Sequence, residues 1–230
     1  MTNDFFFQDL TMDLIHFIDP SSASVDGIVA LGGSLTTTNL LRAYRRGIFP
    51  WPIDEYLLPW CCPEQRAILE FKDLHIPRRL ARVQRQMPFN FTIDQSFEEV
   101  IVSCAKVERK GETGTWITSR MIGAYCELHK TGHAHSVEAW EGNALVGGLY
   151  GVDAGGAFSG ESMFSYRSNA SKLALLYLID HLQKKGLDWI DIQMMTPHMK
   201  ALGAKSIDRS EFLRRLLLAQ NRNIDLFKTD

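Results

Sequence analysis

The segment from Gly147 to Gln193 limits the fold of this chain more than any other stretch. It opens with two apolar runs, GGLYGV at 147–152 and AFSGESMF at 157–164, on either side of the tetrapeptide Asp-Ala-Gly-Gly at 153–156. Apolar runs separated by turn residues predict two buried strands joined by a tight turn. Leucines at helical spacing follow, and LDWIDIQ then predicts a further strand.

The helix in this segment has predictable ends. Ser168 or Asn169 stands at the N-cap position, and Gly186 stands where a C′ glycine ends a helix. The resulting order of strand, strand, helix and strand is that of the central unit of the GNAT-like acyltransferases. Several other α+β folds share this order, so the pattern indicates α+β architecture and leaves the acyltransferase fold as one option.

Three polar residues stand out in these predicted strands. Glu161 follows a glycine within an apolar strand, and Asp191 and Gln193 are two residues apart on the last strand. Side chains two apart on a strand point to the same face, so we expect Asp191 and Gln193 to lie together, with Ile190 and Ile192 on the opposite face. This face is either a functional site or an ordinary solvated strand surface.

Length and proline positions predict two domains. A chain of 230 residues can bury one good core or divide into a small and a larger unit. Prolines cluster at positions 50, 52, 59 and 63, which predicts a boundary near residue 65. The predicted domains are therefore residues 1–65 and residues 66–230.

A local basic surface is predicted after this boundary. The net charge of the chain is −2, so its overall charge does not indicate a nucleic-acid partner. Between His75 and Met87, however, Arg78, Arg79, Arg82 and Arg85 occur without an intervening acid. Their spacing gathers four guanidinium groups along one helical stripe, which favours phosphate binding over an ordinary solvated face.

The remaining signals predict a cytoplasmic protein without a metal. The four cysteines have no C-x-x-C spacing, which is typical of reduced thiols. The first residues, MTNDFFFQDLTMD, carry acids where a signal peptide needs positive charge, and no apolar run approaches a membrane span. His133 and His135 lack a neighbouring acid or cysteine at ligand-like spacing, so we expect packed or hydrogen-bonded histidines there.

A set of short motifs then carries a family resemblance. The motifs are GIFPW (47–51), GTWIT (114–118), HAHSVE (133–138), LVGGLYGV (145–152), GESMFS (160–165), NASK (169–172), IDIQ (190–193) and T-x-H-x-x-x-L-G-A (196–204). Together they resemble the leucyl/phenylalanyl-tRNA–protein transferases, in the family's order, over roughly residues 27–64 and 111–204.

The resemblance implies a small N-terminal domain followed by a GNAT-like domain similar to the Fem peptidyltransferases. It also implies transfer of leucine, phenylalanine or methionine from aminoacyl-tRNA to proteins whose N-terminal residue is arginine or lysine. That transfer marks the acceptor for degradation by the N-degron route. No coenzyme or metal is implied, because an aminoacyl ester is already activated and needs mainly alignment and proton management.

The same resemblance implies roles for individual residues. Trp51 and Trp116 match tryptophans that hold the 3′-terminal adenosine of the tRNA, and Glu161, Asp191 and Gln193 match the acceptor and catalytic side. We expect the carbonyl oxygen of Gln193 to accept a hydrogen bond from the attacking amine and Asp191 to orient or polarise it. The pocket for the transferred side chain is matched by Leu149, Phe158, Met163 and Leu178.

Two other functions are consistent with parts of the sequence. A coenzyme-A-dependent GNAT acetyltransferase needs a glycine-rich pyrophosphate loop before the central helix, but this chain has the glycine-free SYRSNASK there. A non-catalytic tRNA-binding module would use the arginines and the aromatic loops, but it leaves Glu161, Asp191 and Gln193 without a role.

Overall fold

The structure is a computed structural model that describes residues 7–8, 14–53, 57–86, 88–107 and 115–228. The motif glycine at position 114 and the first six residues lie outside the described part of the chain. The described elements form two β-sheets with helices around them, which confirms the predicted α+β class.

The smaller sheet has four strands in the order β1-β2-β4-β3. Its strands are β1 (Phe7–Gln8), β2 (Ile28–Gly32), β3 (Phe49–Pro50) and β4 (Pro59–Cys61). The helix α1 (Thr37–Tyr44) lies between β2 and β3, and the side chain of Thr36 caps it by accepting a hydrogen bond from the backbone of Asn39.

The larger sheet has seven strands in the order β11-β5-β10-β9-β8-β7-β6. Its strands are β5 (Gln65–Glu70), β6 (Asn90–Ile93), β7 (Ala134–Glu141), β8 (Ala144–Asp153), β9 (Phe158–Ser165), β10 (Trp189–Gln193) and β11 (Lys205–Asp208). The chain thus leaves the small sheet at Cys61 and enters the large sheet at Gln65. A domain boundary near residue 65 stays a prediction.

Helices cover both faces of the larger sheet. They are α2 (Arg78–Arg85), α3 (Phe97–Lys106), α4 (Ser119–Lys130), α5 (Ala170–Lys184), α6 (Pro197–Ala201) and α7 (Arg209–Gln220). One apolar core joins the small sheet to residues of α3, α4 and α7, and a second core holds residues of α2, α5 and α6. Because the first core is shared, the small sheet packs directly on one side of the large one.

The central unit forms as its sequence predicts. β8 and β9 pair antiparallel, and the turn between them is tight because Asp153 accepts hydrogen bonds from the backbone of Gly155 and Gly156. Both glycines have positive φ, a backbone conformation that residues with a Cβ atom rarely adopt. β10 returns parallel to β9 after α5, and Gly186 ends that helix at φ +89°.

The start of α5 agrees with the sequence prediction in position but differs from it in hydrogen bonding. Asn169 precedes α5 in the left-handed conformation at φ +69°, and its side chain makes no capping bond. The hydroxyl of Ser165 instead accepts from the backbone of Ser171, at 3.2 Å. The last helix begins at Arg209, after Asp208.

Candidate active site

The main candidate site is a cavity of about 560 Å³ between β9 and β10. These two parallel strands have one registered pair, Asp191 with Ser159. Beyond that pair, Gly160, Glu161 and Gln193 line the cavity. The divergence of two neighbouring strands therefore opens the sheet at the position where the sequence places its unusual polar residues.

One part of the cavity is an apolar chamber. Leu149 and Met163 face each other across β8 and β9, and Leu178 comes from α5. Phe158, at the start of β9, completes the set and is almost fully buried. The structure thus brings together all four residues that were predicted to surround the transferred side chain.

A pair of stacked indoles lies at another part of the cavity. The rings of Trp51 and Trp116 are nearly parallel, at 13°, with their centroids 5.6 Å apart. Trp51 is 36% exposed, and the ring of Phe49 meets it edge-on at 6.1 Å. All three rings line the cavity, so a flat, partly open aromatic surface is available at its border.

Among the described residues that line the cavity, Glu161 is the one carboxylate, and within the described part of the chain its hydrogen bonds come from neutral groups. Its Oε1 accepts from the side-chain amide of Gln193, and its Oε2 accepts from the hydroxyl of Tyr125 at 3.3 Å. The hydroxyls of Tyr125 and Tyr44 are hydrogen-bonded in turn. Burial raises the pKa of Glu161 from 4.5 to about 7, although these hydrogen bonds oppose the rise.

Asp191 behaves differently, because its charge is already neutralised. Its two carboxylate oxygens accept from Nε and Nη2 of Arg66 at 2.8 and 2.7 Å, and both side chains are buried. The hydroxyl of Ser159 also donates to it, at 2.7 Å. A fully bonded carboxylate in this geometry holds its neighbours in place and has little capacity left for a substrate.

Asp191 and Gln193 lie close together, and Ile190 and Ile192 both pack in or against the second core. An irregularity in β10 shifts its register on β5 between the two polar residues, with Asp191 opposite Ile68 and Gln193 opposite Ala67. Gln193 has φ +56°, and its backbone N–H donates to Oδ1 of Asp191 at 2.9 Å. The amide of Gln193 therefore reaches the cavity, whereas Asp191 is not among its lining residues.

Arg66 is the first of three residues near the site that sequence reasoning missed. Besides pairing with Asp191, its guanidinium lies 4.6 Å from the ring centroid of Phe49 and 4.4 Å from that of Phe212. A signal was present, since an arginine within the apolar run RAILE can be buried only with a partner. Tyr44 and Tyr125 were missed too, because buried tyrosines are ordinary core residues unless their hydroxyl partners are known.

The arginine stripe of α2 and the two histidines His133 and His135 lie apart from the cavity lining. Arg78, Arg79, Arg82 and Arg85 are all exposed on α2, and in the described part of the chain none forms an ion pair. His135 bonds to Asp94 at 2.7 Å, as expected for a packed histidine. Among the described residues, no group of three or more histidines, cysteines or acids could hold a metal ion.

Comparison with known sequences bears on what this cavity does. Residues 68–217 match the family model of the leucyl/phenylalanyl-tRNA protein transferases, and residues 33–64 match that of the family's N-terminal domain. The chain belongs to this family. Its members are aminoacyltransferases that act on protein N-terminal arginine or lysine.

The relatives cover most of the chain. A leucyl/phenylalanyl-tRNA–protein transferase of Anaeromyxobacter sp. (strain K) is 47% identical over 203 residues, which cover 88% of this chain and 87% of that protein. One from Pseudoalteromonas atlantica is 45% identical over 213 residues, covering 92% and 91%. Among solved structures, L-PGS from Bacillus licheniformis aligns with a TM-score of 0.39 at 9% identity, over 76% of this chain and 66% of that one, too low to show a shared fold.

The length and composition of the described helices bear on whether one of them could span a membrane. Within residues 14–53, 57–86, 88–107 and 115–228, no helix is both long and apolar enough to span a membrane.

Proposed function

We propose that this chain transfers leucine, phenylalanine or methionine from tRNA to the α-amino group of proteins that begin with arginine or lysine, and that the cavity is the site of transfer. The observation that carries the proposal is the combination of three surfaces in one cavity: stacked indoles, a paired amide and carboxyl, and an apolar chamber. An aminoacyl-adenosine ester has the same three parts, a base, an acyl centre and an apolar side chain.

The donor is proposed to bind through its two ends. Its adenine stacks on the indoles of Trp51 and Trp116, a contact that contributes about 1–3 kcal/mol per base. A base between two rings needs ring planes about 7 Å apart, twice the carbon contact distance. Because the centroids are 5.6 Å apart, the base stacks on an outer face unless the pair separates.

The side chain of the transferred residue enters the chamber formed by Leu149, Phe158, Met163 and Leu178. Met163 suits a chamber that accepts both leucine and phenylalanine, because an unbranched thioether adapts to different shapes. A β-branched donor side chain would crowd the chamber near the ester, so isoleucyl and valyl donors should react poorly.

The acceptor amine is proposed to approach beside Glu161. Asp191 is paired with Arg66, so Glu161 supplies the negative charge that attracts an N-terminal arginine or lysine. With a pKa of about 7, Glu161 is ionised in part of the molecules at neutral pH.

The chemical step is aminolysis of an ester. The deprotonated α-amine attacks the carbonyl carbon, an amide bond forms, and the bond between that carbon and the ribose oxygen breaks. The amine loses one proton, and the ribose oxygen gains one. The side-chain amide of Gln193 donates an Nε2–H to Glu161. The side-chain carbonyl oxygen of Gln193 therefore remains available to accept a hydrogen bond from the amine.

Asp191 and Arg66 are proposed to act through Gln193. The carboxylate of Asp191 holds the backbone of Gln193 in its unusual conformation, and Arg66 fixes that carboxylate. The two residues therefore preorganise the amide without touching substrate.

Three broader features belong to the same proposal. The antiparallel β8–β9 pair, α5 and the diverging parallel β10 support a GNAT-like domain from residue 66, similar to the Fem peptidyltransferases, after a small domain of residues 1–65. The exposed arginines of α2 bind acceptor-stem phosphates without reading sequence. A cytoplasmic location accords with an aminoacyl-tRNA donor.

The test combines labelled leucyl-tRNA with a peptide that begins with arginine. We expect labelled peptide, and none from the same peptide with an N-terminal aspartate or a blocked amine. Labelled acetyl-coenzyme A in place of the tRNA should give no product. Tight binding of leucyl-tRNA without transfer to any peptide would contradict the proposal and favour a non-catalytic tRNA-binding module.

A further inference from the structure

The segment of residues 221–228 lies behind the apolar chamber. After α7, residues 221–228 turn back along α5, and the carbonyl oxygen of Leu226 is hydrogen-bonded to Nε2 of His181 at 2.8 Å. Leu226 is completely buried, and the carbonyl of Lys228 accepts a bond from Lys185, also at 2.8 Å. The segment is therefore anchored on both sides of Phe227.

Phe227 lies within a group of rings. It stacks on His135 with centroids 3.7 Å apart and an angle of 8°, and His181 lies 5.4 Å away. Its third ring neighbour is Phe158, at 5.6 Å and 49°. Phe158 lines the cavity but Phe227 does not, so Phe227 supports that part of the chamber wall from behind.

Phe158 is confined from a second direction by Gly151. A Cβ atom on Gly151 would lie 2.4 Å from Cζ of Phe158, so the phenylalanine ring already occupies the space beside the glycine backbone. The ring therefore lies against Gly151 on β8 and has Phe227 as its neighbour in the core. In a close-packed interior, removing one such neighbour lets a ring relax toward the space that is left.

We propose that Phe227 is a positioning residue that sets the preference between leucyl and phenylalanyl donors by holding Phe158 against the chamber. The inference rests on the proposed function. With Phe227 in place, the chamber is narrow and suits leucine. When its ring is removed, Phe158 can withdraw and the chamber gains room for the larger donor side chain.

The test measures kcat/KM for leucyl-tRNA and phenylalanyl-tRNA with one arginine-initiated peptide. Phe227→Leu keeps an apolar side chain but removes the ring. We expect the phenylalanyl-to-leucyl ratio to rise about tenfold, the scale of one methylene in an apolar pocket. Phe227→Tyr, which keeps the ring, should preserve the wild-type ratio.

A matched control separates selectivity from stability. Phe17 is a buried phenylalanine, whereas Phe227 is partly buried, and Phe17 packs edge-on against Trp60 of the small sheet and does not line the cavity. Phe17→Leu should lower Tm without moving the donor ratio. If Phe227→Leu does not fold, Phe227→Met keeps more volume, also lacks the ring and should shift the ratio in the same direction.

The two proposals fail in different ways. Equal losses for both donors in an active Phe227 variant would overturn this inference and leave the proposed function intact, because Phe227 would then only stabilise the fold. A wild-type chain that transfers neither residue would overturn the proposed function and this inference together.

Discussion

The Arg66–Asp191 pair beside the cavity and the arginine stripe of α2 both carry charge, but the charge is buried and paired in the first and exposed in the second. Arg66 is 1% exposed and has a bidentate carboxylate partner and two aromatic neighbours. Arg82 and the other three arginines of α2 are exposed and, in the part of the chain that the structure describes, have no ion-pair partner. One arginine is fixed to a single position, whereas the others remain solvated.

The difference indicates what each region can do. A buried charge with an ionic partner costs desolvation and is retained where geometry must be held within a fraction of an ångström. Exposed, unpaired guanidinium groups on one helix keep their attraction for any phosphate nearby, but they fix no orientation. We therefore expect mutations at the cavity to change the chemical step or the fold, and mutations on α2 to change only the strength of tRNA binding.

The largest expected effect is on catalysis at Gln193. Gln193→Ala removes the amide that is proposed to accept a hydrogen bond from the attacking amine. The value of kcat should fall by about 10²–10⁴, while tRNA binding stays nearly unchanged. Single-turnover transfer with saturating leucyl-tRNA and peptide measures this step. A wild-type rate would remove Gln193 from the mechanism and leave alignment of the substrates as the whole mechanism.

The second prediction compares one arginine of each region by its effect on stability. Arg66→Met leaves Asp191 buried and unpaired, so the free energy of unfolding should fall by about 3–5 kcal/mol. Arg82→Met, on the exposed stripe, should change it by less than about 0.5 kcal/mol. Urea unfolding of both variants provides the comparison.

A double mutant sharpens the same point. Arg66→Met/Asp191→Leu removes both charges and should recover most of the lost stability, but it should remain slow in transfer because Gln193 is no longer held. Recovery of activity along with stability would show that the ion pair serves the fold alone.

The third prediction concerns pH and Glu161. The folded chain retains this proton up to a pKa of about 7, against 4.5 for an ordinary glutamate. Between these values the folded state binds more protons than the unfolded state, so the free energy of unfolding should fall as pH rises from about 4.5 to about 7. The stabilisation from protonated Glu161 is fully present below pH 4.5, and Glu161→Gln should abolish its dependence on pH.

The KM for the acceptor peptide should follow the same titration of Glu161, with a lower KM at high pH. The KM for an arginine-initiated peptide should decrease as pH rises through about 7, because ionised Glu161 attracts the cation. The peptide's α-amine also titrates, near about 7.7–8.0, but it does so equally for wild type and Glu161→Gln. The difference between the two profiles therefore reports Glu161, and identical profiles would exclude it from acceptor binding.

The smallest expected effect is on α2. Changing Arg82 and Arg85 to glutamate should raise the KM for aminoacyl-tRNA and reduce the slope of log KM against log salt by about 1.8, for two lost phosphate contacts. Transfer from a minimal aminoacyl-adenosine, which has no stem, should be unaffected. An unchanged salt slope would show that the stripe is only a solvated face.

The sequence was sufficient for the parts of the site that depend on local signals. Glycines and apolar periodicity predicted β8, the turn at 153–156, β9 and α5, because each of these elements is specified by residues close together in the chain. The irregularity in β10 could not be predicted, since it depends on how Asp191 bonds to a neighbouring strand. The partner of Asp191 is 125 residues away, and no local pattern in WIDIQ reports it.

The position of β5 also determines when the enzyme can become active during its synthesis. This strand leaves the ribosome early, yet both of its neighbours in the sheet, β10 and β11, belong to the last fifth of the chain. Until they emerge, Arg66 has no carboxylate to neutralise it and must stay in water. A nascent chain that stops before β10 therefore lacks two strands of the larger sheet and also lacks Gln193. Truncated translation products should be inactive and readily degraded.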